Sequence, residues 1–108
     1  MEILVDLNAL PWQSPGPGIR FKAFVRGAHR VRVMELSPGF EEGDWCTRAH
    51  AVHVLDGTFT LRLRDGELRL RAGDVAVLDS IPEHAHRASV GAGESARLLL
   101  FEIAGDGR

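Results

Sequence analysis

The sequence predicts an all-β domain, an antiparallel β-barrel with little or no helix. The first observation behind this prediction is that apolar and polar residues alternate along several short runs, as they do in strands that bury one face. The second is that glycine-containing turn signals separate these runs. No segment has a helical period, and we expect about eight or nine strands. Because an open ribbon leaves unpaired strand edges, we expect the sheet to close.

The N-terminal residues predict a short strand followed by an irregular arm. The apolar run of residues 3–5 is expected to form the strand. Residues 8–18, NALPWQSPGPG, contain three prolines and two glycines, which favour an extended arm or loop. Trp12 lies in this arm, and we expect its ring to dock on the barrel wall or, alternatively, on a partner subunit. The domain division is residues 1–18 as strand and arm, 19–104 as a single barrel domain and 105–108 as a tail.

Two further strands and a loop follow the arm. Residues 19–25 and 31–36 alternate apolar with polar side chains, which predicts two strands joined by a turn at Gly27-Ala28. Residues 40–48 are polar and have no period, so we expect a loop that leads into the central strands.

The central stretch has the clearest strand pattern and contains four of the five histidines. Asp56-Gly57 and Asp65-Gly66 each lie between alternating runs and predict two tight hairpins, because an Asp-Gly pair tolerates positive φ angles. Gly73-Asp74 predicts a third reversal. Between the turns leucine alternates with arginine, which predicts one buried face and one face in water. A solvated row is the simplest interpretation of these arginines, and an anionic partner is the alternative. They are Arg62, Arg64, Arg69 and Arg71.

The C-terminal part predicts two more strands. Residues 87–90 continue a strand out of the histidine-containing loop, and GAGES forms a flexible turn. Residues 96–103 form a continuous apolar run, which predicts a strand that is buried on both faces or covered by a neighbour. This strand and the N-terminal arm are the candidate interface of a homodimer.

Length and composition limit the class of protein. A chain of 108 residues is sufficient for one domain with a modest core. The net charge of −2 gives no electrostatic case for nucleic acid binding. No apolar run reaches the roughly 20 residues that cross a bilayer, and the N-terminus has no leader pattern, so we expect a cytoplasmic protein without membrane contact. The single cysteine, Cys46, excludes an internal disulfide and fits a reducing compartment.

The basic residues are strongly biased towards arginine. Lys22 is the one lysine among 13 basic residues, and asparagine, glutamine, cysteine and methionine are scarce. This composition is compatible with a thermophilic source, although a GC-rich genome produces the same arginine bias. A melting temperature in the ordinary mesophile range would remove the thermophile interpretation.

The motifs of the central stretch resemble those of the cupin superfamily, which are small antiparallel jelly-roll β-barrels. The first cupin motif has two histidines, then a glutamate, then a glycine, and Gly57 in VLDG matches that glycine. Counting back from it places His50 at the usual glutamate position, and Asp44 and Cys46 at the two usual histidine positions. The resemblance extends over roughly residues 31–101 and implies the fold, but the histidine pair itself is absent.

The second cupin motif begins with glycine, passes through an apolar strand and a proline-containing loop, and ends on histidine. The segment GDVAVLDSIPEHAHR resembles it from Gly73 onwards. The family spacing places the motif histidine at His84, whereas the local pattern of proline, loop and His-Arg favours His86. Both assignments stay open at this point.

Strand alternation and the resemblance together suggest a metal site inside the barrel. If Val52 and Val54 face inwards then His50 does too, and His53 points to the opposite side. A buried histidine needs a hydrogen-bond partner, a metal or a ligand. The candidate ligands of a divalent metal are His50, His84, His86, Asp44 and Cys46. Zn, Fe, Ni and Mn are the candidate metals, and Cu also suits imidazole combined with carboxylate or thiolate.

These residues leave three hypotheses about function. The first is a small cupin that binds a divalent metal and acts on or senses a small polar organic molecule, as an oxygenase, isomerase or lyase if it is an enzyme. The second is a ligand-binding or sensory barrel without metal, in which the histidines are a hydrogen-bonded polar patch. The third is a structural protein that acts through its dimer. No residue is assigned a catalytic role, because no nucleophile or phosphate-binding motif is present.

Overall fold

The computed structural model describes residues 3–103 and confirms the predicted antiparallel jelly-roll barrel. Eight strands and two short 3₁₀ turns, at Leu7–Ala9 and Pro82–His84, make up the regular structure of these residues. Neither turn is long enough to cross a membrane. The strands are β1 (Gln13–Gly16), β2 (Ile19–Arg26), β3 (His29–Leu36), β4 (His50–Leu63), β5 (Gly66–Arg71), β6 (Val75–Leu78), β7 (His86–Ser89) and β8 (Ala96–Ile103).

The long strand β4 joins the two layers of the barrel. Its first half pairs with β8 on one side and β6 on the other, and β8 continues the layer through β3, β2 and β1. Its second half pairs with β5 and β7 in the opposite layer. All of these pairs are antiparallel. A residue near the start of β4 therefore lies in a different layer from a residue near its end.

The hairpin predicted at Asp56-Gly57 is wrong. The β4 strand continues through these residues, and its pairing register with β8 shifts between Val54 and Asp56, which is a β-bulge. Gly57 has φ of +80°, and a Cβ atom at this position would collide with the backbone oxygen of Ser95. The Asp-Gly pair therefore bends β4 from one layer into the other instead of reversing the chain.

Of the other two predicted reversals, the one at Asp65-Gly66 is confirmed, one residue earlier than predicted, and the one at Gly73-Asp74 is wrong. A two-residue turn, Arg64-Asp65, connects β4 to β5, with Leu63 opposite Gly66. Ala72-Gly73 connects β5 to β6 without reversing the chain, because both strands run antiparallel to β4. Gly73 has φ of +96° in this connection.

The N-terminal region differs from its prediction in one respect. Residues 3–5 form no strand, and the side chains of Ile3 and Leu4 are exposed. Instead the arm itself contributes β1, an edge strand in which Pro15 is tolerated because the outer edge needs no donor. Trp12 docks on its own chain, with its ring under the guanidinium of Arg20 at 3.9 Å and near the ammonium of Lys22 at 4.8 Å. The predicted tail, residues 105–108, lies outside the described residues.

The core lies between the two layers, and β8 contributes every second residue to it. Ala96, Leu98 and Leu100 are buried, whereas Phe101 and Ile103 are exposed on the outer face. The expectation that this strand is buried on both faces is therefore wrong for the single chain, and only cover by a neighbour remains as a prediction. The buried core residues are Met34, Leu36, Val52, Val54, Phe59, Leu61, Leu70, Leu78, Val90, Ala96, Leu98 and Leu100.

The arginine row lies in water, as its simplest interpretation predicted. All four side chains are exposed. Arg69 pairs with Glu94, and Arg62 lies 3.8 Å from Glu67. Arg64 stacks at 4.7 Å over the ring of Trp45. Partners within the chain therefore account for three of these arginines.

Candidate metal centre and its cavity

Two histidines from different strands meet inside the barrel. His50 begins β4 and faces inwards together with Val52 and Val54, as strand alternation predicted. His86 begins β7, directly after the 3₁₀ turn Pro82–His84. Their exposed fractions are 8% and 3%, so both imidazoles are buried. His86 pairs with Leu63 at the far end of β4, so the two histidines come from opposite layers and meet across the barrel interior.

The two imidazoles approach each other through their Nε2 atoms, and each Nδ1 atom has a separate partner. The Nε2 atoms are 2.8 Å apart. The Nδ1 atom of His86 donates to the backbone oxygen of His84 at 2.8 Å, since a carbonyl oxygen can only accept. The Nδ1 atom of His50 lies 3.3 Å from Oε2 of Glu102. Both Nδ1 atoms can therefore carry a proton and leave both Nε2 lone pairs directed at the same point.

Cys46 is the third member of this cluster. The loop before β4 forms an isolated bridge with β7, in which the amide of Cys46 donates to the oxygen of His86 at 2.8 Å and the amide of His86 donates back at 3.0 Å. This pairing fixes the Cys46 side chain beside the imidazoles. Its sulfur and one ring nitrogen each of His50 and His86 all lie within 4.8 Å of one another.

The sulfur and the imidazole change each other's proton affinity. Burial alone would raise the pKa of the Cys46 thiol, but the hydrogen bonds with His86 and with the backbone of Arg48, together with the charge of His86, outweigh this and lower the pKa. Burial would lower the pKa of His86, but the hydrogen bonds to Cys46 and to the His84 carbonyl outweigh this and raise the pKa. The pair therefore favours a thiolate, which is the form of cysteine that binds metals.

Glu102, which the sequence analysis missed, holds His50 in place. It occupies an inward position of β8 and is only 6% exposed. Nε and Nη2 of Arg32 donate to its two carboxylate oxygens, each at 2.9 Å. Burial would raise the pKa of this carboxyl, but His50 and Arg32 outweigh it and lower the pKa to about 2. The signal was available, because Glu102 continues the alternation of Leu98 and Leu100, but the uninterrupted apolar run concealed it.

Two of the five predicted ligands lie outside the cluster. The Nδ1 atom of His84 accepts a hydrogen bond from the amide of Asp79 at 2.8 Å, and its ring is one-third exposed. Asp44 is exposed in the loop and does not line the cavity. Of the two candidates for the second-motif histidine, His86 therefore has its ring in the barrel. His84 contributes only its backbone oxygen, which accepts from His86. His53 faces away from the interior and pairs with Val75 and Leu99, as predicted.

A cavity of about 360 Å³ adjoins the cluster. Its size is at the lower end of the range for small-molecule sites, about 300–1,000 Å³. At the end near the imidazoles its walls carry charged groups, and the rest of the wall is apolar. The charged side chains are Arg30, Arg32, Glu42 and Arg48. The apolar side chains include Ile19, Phe21, Met34, Phe40, Phe59 and Leu61.

Solved structures with the same fold include cupins. The polyketide cyclase RemF from Streptomyces resistomycificus has a TM-score of 0.82 at 17% identity, over 100% of this chain and 83% of that chain. A sugar phosphate isomerase of the cupin superfamily from Silicibacter pomeroyi has a TM-score of 0.76 at 18% identity, over 93% and 74%. A cupin-2 domain from Rhodospirillum rubrum has a TM-score of 0.77 at 14% identity, over 100% and 78%. No family model matches the sequence, and no curated protein is significantly similar to it.

These likenesses establish the architecture, and at these identities they establish nothing further. The chain has the cupin fold, as its two glycine-anchored motifs implied. Within that fold it has a cysteine and two histidines where they can hold a metal ion.

Proposed function

We propose that this protein is a small cupin that binds a divalent metal through Cys46, His50 and His86, and binds a small organic molecule in the adjoining cavity. Three protein ligands leave coordination positions open for substrate or water, as in catalytic rather than structural metal sites. A thiolate with two imidazoles suits zinc best among the candidate metals, and also iron, nickel and copper. Manganese, which prefers oxygen ligands, ranks below them.

The observation that carries the proposal is that the Nδ1 atom of each imidazole has its own partner on the side away from the cluster. Glu102 and the His84 carbonyl occupy the two Nδ1 atoms, so that the Nε2 atoms face each other and the cysteine. This is the outer arrangement that fixes the tautomer of metal-binding histidines in proteins. It supports His86, rather than His84, as the histidine of the second motif.

The proposed chemistry follows from what the chain contributes around the centre. A bound metal supplies a Lewis acid that polarises a substrate oxygen or a water molecule. His50 is held by Glu102, which is in turn fixed by Arg32, so the ligand geometry is set before substrate arrives. The apolar wall excludes water from the remainder of the cavity. RemF and the sugar phosphate isomerase are enzymes on this fold, which supports small-molecule chemistry without indicating a reaction.

A second candidate function, a ligand-binding barrel without metal, is favoured by one distance. The 2.8 Å between the Nε2 atoms of His50 and His86 is that of a hydrogen bond, so the imidazoles also satisfy each other directly. Within residues 3–103 no buried side-chain nitrogen or oxygen atom lacks a partner. Metal binding therefore has to replace an existing hydrogen bond, and the two candidates compete for the same nitrogen atoms.

Metal analysis separates the two candidates. Protein purified without a histidine tag is expected to contain close to one equivalent of a transition metal, or to gain it when zinc is added. His50→Ala and His86→Ala are each expected to abolish this binding. His53→Ala is the matched control, because it removes an imidazole from the outer face, and His84→Ala tests the second-motif assignment. Both of these variants should retain the metal.

Two results would count against the metal proposal. One is a metal content below about a tenth of an equivalent that does not rise on addition of zinc, iron, nickel or manganese. The other is binding that survives in His86→Ala and is lost in His84→Ala. A melting temperature that does not change with chelator, together with stabilisation by small molecules, would establish the metal-free candidate instead.

A further inference from the structure

The positive charges in the cavity exceed the negative ones. Three arginines line it, Arg30, Arg32 and Arg48, and so does one carboxylate, Glu42. A second carboxylate, Glu102, lies behind this wall and pairs with Arg32. A cavity wall with one surplus cation attracts an anion, and partial burial strengthens the attraction because water screens it less.

The surplus charge can be assigned to particular side chains. Arg32 is fully engaged, since two of its nitrogens donate to the two oxygens of Glu102. Arg30 reaches the same carboxylate only at 3.6 Å, beyond a good hydrogen bond. Within the described part of the chain, no ion pair includes Arg48. Arg30 and Arg48 are therefore the two cavity arginines that, among the described residues, have no hydrogen bond to a carboxylate.

The carboxylate that lines the cavity, Glu42, forms no ion pair with Arg30 or Arg48 in the described part of the chain. Oε1 of Glu42 accepts a hydrogen bond from the amide of Ala88 at 2.8 Å, which ties the loop before β4 to β7. Burial lowers the pKa of Arg30, and the neighbouring Arg32 and Arg48 lower it further, while Glu102 offsets this only in part. The arginines thus repel one another, and an anion between them would relieve that repulsion.

We propose that the cavity binds an amphipathic organic monoanion, a carboxylate with an apolar body, with its carboxylate between Arg30 and Arg48 and its body along the apolar wall. One surplus positive charge matches one negative charge, and guanidinium groups bind carboxylates through paired hydrogen bonds. Phe21, Phe40 and Phe59 also line the cavity and accommodate the apolar part. This inference rests on the proposed function in that it takes the cavity as the ligand site, but it does not require the metal.

Binding of simple probes tests the inference. Hexanoate, hexanamide, acetate and inorganic phosphate are titrated into the protein by calorimetry, both as purified and after removal of metal with EDTA. Hexanoate is expected to bind at least about tenfold more tightly than hexanamide, which has the same shape without the charge. Acetate and phosphate both lack the apolar body, and we expect each to bind more weakly than hexanoate.

A matched pair of arginine variants locates the site. Arg48→Met removes the charge and keeps the length of the side chain, and is expected to weaken hexanoate binding about tenfold. Arg71→Met makes the same change on the exposed face of β5 and should leave binding unchanged. Equal affinity for hexanoate and hexanamide, phosphate binding as tight as hexanoate, or an unchanged affinity in Arg48→Met would each overturn the inference.

The outcomes also separate this inference from the metal proposal. Metal content is measured on the same Arg48→Met protein, and it should remain that of the wild type because Arg48 is not a ligand. If hexanoate binds and no metal does, the carboxylate site stands and the metal-free candidate is adopted. If metal binds and hexanoate does not, the metal proposal stands and this inference is wrong.

Discussion

At the scale of single residues, the chain shows how one buried carboxylate organises several others. Glu102 contacts Arg32 on one side and His50 on the other, and is itself almost completely shielded from water. A buried ion of this kind is tolerated only when its partners surround it, and removing one partner leaves an uncompensated charge. Glu102 therefore connects the stability of the barrel to the geometry of the site.

The lowered pKa of Glu102 predicts a specific loss of stability in acid. Its folded pKa of about 2 lies below its ordinary value of 4.5, so the stabilisation is complete above about pH 5 and is lost as the pH falls towards 2. Over that window the loss from this one group is about 3 kcal/mol. We expect the stability advantage of the wild type over Glu102→Gln, measured by urea unfolding in EDTA, to narrow by this amount between pH 6 and pH 2.

Glu67→Gln provides the control for this measurement. Glu67 forms an exposed pair with Arg62, and exposed pairs contribute about 0–1 kcal/mol. The difference in free energy of unfolding between Glu67→Gln and the wild type should therefore stay nearly constant with pH. If the wild type and Glu102→Gln lost stability in parallel, the carboxylate of Glu102 would not be ionised and paired as described.

The site residues that could be predicted from the sequence follow local patterns, and those that could not depend on turns or on long-range contacts. His50 was placed inside the barrel correctly, because alternation along one strand is a local pattern. The choice between His84 and His86 depends on a 3₁₀ turn that directs one ring inwards and the other towards Asp79, and no periodicity describes such a turn. The inward positions of Arg30 and Arg32 depend on their pairing with β8, which is a long-range contact.

At the scale of elements, the β-bulge in β4 is the feature that the sequence pattern predicted wrongly, as a hairpin. An Asp-Gly pair has the same local preference in a hairpin and in a bulge, because both need a positive φ angle. What distinguishes them here is the approach of the Ser95 carbonyl from the turn before β8, 38 residues further along the chain (95 − 57 = 38). Gly57 is therefore required both by its backbone angle and by lack of space.

Two glycine substitutions separate these two requirements. Gly27 and Gly57 both have positive φ angles, +58° and +80°, but only Gly57 has a neighbour where a Cβ atom would lie. Gly27→Ala is expected to lower the free energy of unfolding by about 1–2 kcal/mol through its backbone angle alone. Gly57→Ala should cost about 1–3 kcal/mol more, because Ser95 and the start of β8 must shift.

Chemical unfolding of the two variants measures this difference. The same experiment tests whether the bulge positions the site, since a shift of β8 also moves Glu102. We therefore expect Gly57→Ala to weaken metal binding and Gly27→Ala to leave it unchanged. Equal destabilisation by the two substitutions would contradict the crowding described at Gly57.

At the scale of the whole molecule, one outer face of the barrel remains apolar and open to water. The outer apolar patch consists of Val75 and Val77 on β6 and Phe101 and Ile103 on β8, each about half or more exposed. Strand pairing places Val77, Ala51 and Phe101 in one row across the sheet. A contiguous apolar surface of this kind is typical of an interface. It supports the predicted homodimer, with β8 at its centre.

Replacement of one patch residue tests the dimer. We expect the wild type to be a dimer at micromolar concentration by light scattering, and Phe101→Arg to be a monomer, because the charge cannot be buried at the interface. Leu68→Arg is the control, since Leu68 is similarly exposed on β5. The prediction is wrong if the wild type is a monomer, or if both variants remain dimers.

The position of β8 has a consequence for how the protein is made. It lies between β3 and β4 in the sheet but follows both in sequence, and it carries Glu102, which is 52 residues beyond His50. A nascent chain on the ribosome therefore exposes two unpaired strand edges, and an unsupported imidazole, until β8 has emerged from the exit tunnel. Pairings between such distant segments are slow to form, on the order of milliseconds to seconds. The binding centre can mature only after translation has passed its last supporting strand.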